Sequence, residues 1–228
     1  MTGSDRTGID RIEVEETELL LVRHGQSTWN ALGRWQGQAD PPLSELGERQ
    51  AAAAARRLAD PAAPPVARVV TSDLVRARRT AEVIADALGV GLELEPRLRE
   101  RHAGEWTGLT RAEIDEGWPG ALQEWRHPAG FETDDVLLAR VLPGLHAIVT
   151  EHARDASGNG SSAGARRVVV ITHGGVVRTL ERHLGAQAPP LANLGARAVR
   201  HDGGRLHAGE RVLLLDGDDA EVTVPKQI

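Results

Sequence analysis

The stretch "RRVVVITHGG" constrains the fold of this chain more than any other. Val168 to Ile171 are apolar without interruption and show no alternation. A strand that reads this way has both faces covered, which places it centrally in a parallel sheet. Two further runs resemble it. "ELLLVRHG" predicts a short buried strand over Glu18 to Val22, and "ARVVTSD" predicts a second strand. Each of the three ends abruptly in polar residues.

Helical patterns lie between these strands. Ser44 is a good N-cap, with Glu45 and Glu48 favoured in the first turn by the helix dipole. The alanine-rich "ELGERQAAAAARRLA" then propagates readily, until Pro61, Pro64 and Pro65 stop it. In "LVRARRTAEVIADALG", residues Leu74, Ala77, Ala81, Ile84 and Leu88 share one face, and Gly89 supplies the stop. "VGLELEPRL" reads as a short strand with a turn at Pro96. Residues 104–135 lack a clean period and predict short helices and loops. "DDVLLARVLPGLHAIVTEHA" is helical with an interruption expected at Pro143-Gly144, and residues 157–165 predict a surface loop. That loop spells G-x-G-x-x-A but precedes a strand, the wrong context for a dinucleotide site. A helix follows the Val168 run, and two late strands, "GARAVRHDGG" and "GERVLLLDGD", suggest an edge hairpin. Strands alternating with helices imply an α/β fold: a three-layer sandwich with a mostly parallel central sheet flanked by helices on both faces. Residues 1–17 read as a disordered or loosely attached tail, and 18–228 as a single domain.

Composition narrows the chemistry. The net charge of −6 argues against a nucleic-acid partner. No apolar run approaches the roughly 20 residues of a membrane helix, and no targeting signal is visible, so a cytoplasmic protein without a membrane partner is expected. With no cysteine there is no thiolate metal site and no cysteine nucleophile. The single lysine, Lys226, lies near the chain end, which removes P-loop and Schiff-base lysines.

The three strands end at Arg23-His24-Gly25, at Thr71-Ser72-Asp73 with Arg76 a turn later, and at Thr172-His173-Gly174. In an open α/β sheet the carboxyl ends of the strands share one rim, where ligands bind. Two histidines and two arginines are therefore expected to converge. Arginine forks suit phosphate oxygens, and a histidine serves as nucleophile, proton donor or metal ligand. Few carboxylates flank these histidines, and no H-x-x-x-H pair is present, so a phosphate clamp around a nucleophilic histidine is favoured over a metal site.

"LVRHGQSTWN", "TSDLVRARRTA", "LRERHAGEWTG" and "ITHGG" resemble, in order, the four signatures of the histidine phosphatase superfamily, also called phosphoglycerate-mutase-like, over roughly residues 18 to 185. The resemblance implies that His24 is phosphorylated in turnover. It implies that Arg23, Arg76 and His173, with Asn30 and the amides near Gly174, neutralise the transferring group. Glu100 matches the general acid and base, and Gln36 and Gly37 match a loop touching substrate beyond its phosphate. No cofactor and no metal are implied, and the expected partner is a small phosphorylated metabolite. The superfamily also holds cofactor-dependent phosphoglycerate mutases. "ERH" at Glu100 to His102 and Trp125-Arg126 echo these, but Ala103, Arg111 and His127 depart from their pattern and leave fewer cations for a bisphosphate. A phosphatase is the expectation; a mutase and a catalytically idle phosphate-binding module are the alternatives. Trp29, Trp35 and Trp106 are assigned to packing, and His102, His127, His146 and His152 to surface or packing. The segment around Glu132 matches the family only loosely. Oligomeric state stays open, a homodimer among the options.

Overall fold

The computed structural model describes residues 17–124, 126–158, 167–202 and 204–216. The chain runs β1 (Thr17–Arg23), α1 (Thr28–Ala31), α2 (Glu45–Leu58), β2 (Val66–Thr71), α3 (Val75–Leu88), β3 (Leu92–Leu94), α4 (Arg111–Gly117), α5 (Asp134–Gly158), β4 (Arg167–Thr172), α6 (Gly174–His183), β5 (Gly195–Asp202) and β6 (Arg205–Leu213). Single 3₁₀ turns occupy Pro96–Leu98 and Gly104–Trp106.

The sheet order is β3-β2-β4-β1-β5-β6. β4 is parallel to β1 on one side and to β2 on the other, with Val170 opposite both Leu21 and Val70. β3 extends the parallel part, and β5 and β6 close the other side as an antiparallel hairpin. This central place accounts for the unbroken apolar run, since each side chain of β4 meets a helix layer. Val169 and Ile171 join Leu20, Val22 and Val69 against α2 and α3, where Ala54, Ala77, Ala81 and Ile84 pack. Val168 and Val170 join Leu19, Leu21 and Val70 on the opposite face, against Leu137, Val141 and Leu145 of α5 and Val177 and Leu180 of α6. Truncating one such leucine or isoleucine to alanine costs about 2–5 kcal/mol. Among the described residues no helix is long and apolar enough to cross a membrane.

Local signals act as the sequence suggests at most ends. Ser44 Oγ accepts from the Gly47 amide and caps α2, and Gly89 closes α3 in the left-handed conformation at φ +65°. Two expectations are corrected. Thr17, assigned to the tail, is buried and opens β1. The interruption at Pro143-Gly144 does not occur, because α5 continues through Pro143. The buried stripe of Leu137, Val141, Leu145 and Ile148 runs on both sides of the proline, and its packing overrides the lost backbone hydrogen bond. The 157–165 loop lies, beyond Gly158, outside the described residues, as do residues 1–16.

Candidate active site

Three strand ends build the pocket. Arg23 is the last residue of β1, and its backbone continues the parallel ladder, with the His24 amide donating to Thr172 O at 3.0 Å. Asn193 Nδ2 holds the His24 carbonyl at 2.8 Å, and the Gly25 amide donates to Thr80 Oγ1 at 3.1 Å. The turn after His24 lies directly on the start of α2. A Cβ on Gly47 would stand 2.0 Å from Gln26 O, and one on Gly25 would stand 2.7 Å from Gly47 O. Main chain meets main chain there, so only glycine fits.

The His24 ring is buried and oriented. Its Nδ1 lies 2.6 Å from Gly25 O, which can only accept, so Nδ1 carries the proton and Nε2 keeps its lone pair. Arg76 Nε donates to that Nε2 at 3.2 Å. The Arg76 guanidinium is itself fixed by Ala39 O at 2.7 Å and Gly37 O at 2.9 Å. Gly37 is at φ +51°, and a Cβ would strike the Ala103 amide at 2.7 Å. Arg23 is anchored by Leu191 O at 2.7 Å. The His173 ring stands 5.2 Å from the His24 ring, nearly edge-on. Ser72 Oγ accepts from the Leu74 amide at 3.3 Å and lies 2.9 Å from His173 Nε2, which fixes the orientation of the ring. His173 Nδ1 is buried without a partner.

Electrostatics suit a bound anion. Burial, then Arg76 and Arg23, hold His24 well below the usual 6.5. Burial first, with Arg76 next, does the same to His173. Both rings are thus neutral at neutral pH. Burial pulls Arg23 and Arg76 down to about 10, which leaves both charged. Two buried cations beside two neutral imidazoles form a strong positive field in a low-dielectric setting.

Glu100 stands at the N-terminus of α6. Its Oε2 accepts from the Gly175 amide at 2.9 Å and its Oε1 from the Arg101 amide at 2.8 Å. Its carbonyl is held by Gln38 Nε2 at 3.1 Å and Arg140 Nη2 at 3.0 Å. Arg140 also binds the carbonyls of Arg97 and Arg99, each at 2.7 Å, and grips both oxygens of Glu132 at 2.8 Å. Glu132 is therefore a structural partner of the segment that carries Glu100.

A cavity of about 700 Å³ opens over this constellation. Arg23, His24, Asn30, Gln36, Gly37, Arg76, Glu100 and Gly174 line it, and the buried His173 ring stands 5.2 Å from that of His24. All nine candidate residues converge. Asn30 Oδ1 accepts from the Ser27 amide at 3.2 Å, while its buried Nδ2 has no partner. Gln36 Oε1 accepts from Ser27 Oγ at 2.7 Å.

The structure adds residues that the sequence reading assigned to packing or surface, or left unassigned. Trp35 and Phe131 line the cavity and belong to an aromatic cluster around Trp106 and Trp118. His127, expected at the surface or in packing, is exposed, stacks on Phe131 at 4.2 Å and in addition lines the wall. Arg101, Arg178 and Arg182 also bring cations to the cavity wall. Gly174, Arg178 and Arg182 are spaced by four, a helical-face signal that was available but reads as a solvated stripe.

Such a site can hold a tetrahedral oxyanion against an unprotonated imidazole nitrogen, which is the equipment of phosphoryl transfer. Comparisons with known proteins agree. Residues 19–203 match the histidine phosphatase superfamily (branch 1). The chain is 38% identical over 186 residues to the glucosyl-3-phosphoglycerate phosphatase of Mycobacterium tuberculosis strain H37Rv, covering 78% of this chain and 81% of that one. It is 39% identical over 178 residues to the metal-independent phosphoserine phosphatase of Arabidopsis thaliana, covering 75% and 69%. The solved mycobacterial glucosyl-3-phosphoglycerate phosphatase superposes with a TM-score of 0.72 at 32% identity, over 88% of this chain and all of that one. YhfR of Bacillus stearothermophilus gives 0.71 at 29% identity, over 85% and 95%. The chain belongs to the histidine phosphatase superfamily and is a phosphoric monoester hydrolase.

Proposed function

We propose that this chain hydrolyses a small phosphorylated metabolite through a phosphohistidine on His24. The observation that carries the reading is the short contact from His24 Nδ1 to Gly25 O. It fixes the tautomer, so Nε2 keeps the lone pair, which accepts from Arg76 Nε until a phosphoryl group takes its place, while the ring stays neutral. In the first step Nε2 attacks phosphorus and the ester P–O bond breaks. Gly25 O then faces the Nδ1 proton of a ring that has become cationic. Arg23, Arg76, Asn30 Nδ2 and His173 Nδ1 hold the equatorial oxygens, and little rearrangement is needed because their anchors are already made. Glu100 gives a proton to the departing alkoxide. In the second step its carboxylate takes a proton from water, the water oxygen attacks phosphorus, and the P–N bond breaks to release phosphate and neutral His24.

The relatives support this reading. Solved structures of the mycobacterial phosphatase include complexes with VO₃ and with inorganic phosphate. The substrates in the two relatives' names, glucosyl-3-phosphoglycerate and phosphoserine, are both phosphomonoesters built on a three-carbon acid. A cytoplasmic setting goes with metabolites of this kind.

The test is a panel of phosphomonoesters, run beside a bisphosphoglycerate-dependent mutase assay, with acid-quench trapping of labelled phosphate. Phosphate release with label on His24, and none in His24→Ala, is expected. Label on another residue, or isomerisation faster than release, overturns the reading. Glu100→Gln should lose about 10²- to 10⁴-fold on a sugar phosphate and far less on nitrophenyl phosphate, whose leaving group needs no proton.

A further inference from the structure

The cavity continues past the phosphoryl pocket along α6. Gly174, Arg178 and Arg182 lie four apart, so they share one face of that helix, each about 6 Å beyond the last. Gly174 packs on the Arg23 side chain at the phosphoryl end. Arg182 is committed to Asp134 at 2.8 Å; Arg101 binds the same carboxylate at 2.5 Å and also donates to Thr179 Oγ1 at 2.7 Å. Arg178 differs. Its Nε donates to Ala188 O at 3.1 Å, which orients the guanidinium, and it forms no ion pair among the described residues. Its Nη edge is left with hydrogen-bonding capacity in a half-buried place on the cavity wall. Burial first, and then Arg182, pull Arg178 below its ordinary value. Glu181 and Glu100 act in the opposite sense without reversing it, so the guanidinium, partly removed from water, is stabilised by an anion that meets its Nη edge.

We propose that Arg178 is the specificity residue for a carboxylate on the substrate, so that the enzyme selects phosphomonoesters bearing a carboxylate two carbons beyond the ester carbon. One helical turn separates Gly174 from Arg178, and a carboxylate at that position lies about that far from phosphorus. The fork formed by the two Nη groups matches the two oxygens of a carboxylate. A second phosphate fits less well. The neighbouring Arg101 and Arg182 are already neutralised in part by Asp134, whose own charge on the cavity wall repels a dianion. The inference rests on the phosphatase reading above and deepens it.

The experiment compares 3-phosphoglycerate with glycerol 3-phosphate, and phosphoserine with phosphoethanolamine, in wild type, Arg178→Gln and Arg178→Lys. For Arg178→Gln, kcat/KM on the two carboxylate substrates should fall about 10- to 100-fold more than on their carboxylate-free partners, mainly through KM. Arg178→Lys should recover part of the difference, since it keeps the charge without the fork. Affinities for 3-phosphoglycerate and glycerol 3-phosphate, measured by calorimetry in the turnover-dead His24→Ala protein with and without Arg178→Gln, give the same comparison without relying on catalysis. Equal losses on both members of each pair overturn the proposal, as does a loss confined to a bisphosphate. Absence of turnover in wild type, with the binding difference intact, overturns the phosphatase reading and leaves the carboxylate site standing.

Discussion

Gly175 shows how one missing side chain positions another. A Cβ there would lie 2.2 Å from Glu100 Oε1, so the carboxylate seats on the helix terminus only because the residue is glycine. The conflict involves the end of a flexible side chain rather than backbone, and Glu100 can swing away. Gly175→Ala should therefore fold with a thermal midpoint close to wild type. It should lose kcat on alkyl phosphates by about 10-fold or more while keeping most of its activity on nitrophenyl phosphate. Steady-state kinetics on the two substrate types, beside a melting curve, check this. A uniform loss on both would mean that the phosphoryl pocket, not the proton donor, had been disturbed. At the same scale the contact of Ser72 Oγ with His173 Nε2, at 2.9 Å, orients a buried ring whose other nitrogen is left without a partner.

At the scale of elements, the loop after β1 and the start of α2 are joined through bare main chain. Gly47→Ala puts a Cβ 2.0 Å from Gln26 O, and neither backbone can yield without moving His24. The expected cost is about 1–3 kcal/mol of stability together with a loss of turnover on every substrate, activated or not. Denaturant melts and nitrophenyl phosphate turnover on the same preparation test it, and wild-type values for both would refute the coupling. Much of this architecture was legible. Val168 to Ile171 announced a central strand, Ser44 and Gly89 marked helix ends, and three polar strand termini pointed to one rim. What escaped depended on tertiary packing. Pro143 reads as a break, but a buried stripe on both sides carries α5 through it. Arg178 and Arg182 carry no motif, and only the fold reveals that their side of α6 faces a cavity. His127 and Phe131 meet through an irregular segment whose residues carry no period.

For the molecule as a whole, the buried rings impose a pH dependence. His24 and His173 are held well below the 6.5 expected of an unfolded chain. As pH falls through 6.5 the unfolded state gains protons that the native state refuses, so stability drops with falling pH at up to about 1.4 kcal/mol per unit for each ring. Above 6.5 that loss is absent. The carboxylates Asp73, Glu132 and Asp134 are all lowered from 3.8 or 4.5 and add their own loss only in more acidic solution. Urea melts at pH 7, 6 and 5 should show a decline that is shallower in His173→Gln. Parallel declines in the two proteins would contradict this account. A bound oxyanion should blunt the decline, because it supplies the negative charge that lets the rings accept protons.

The nucleophile and the proton donor stand on different foundations. His24 grows out of the sheet itself, whereas Glu100 rides on an irregular strap that Arg140 fastens by three carbonyls and one carboxylate. Gentle heating or ageing that unpicks the strap before the sheet would leave a crippled catalyst rather than a dead one. It would still strip phosphate from reactive synthetic esters long after it had ceased to serve ordinary metabolites, and an assay built on a chromogenic ester would score it as healthy.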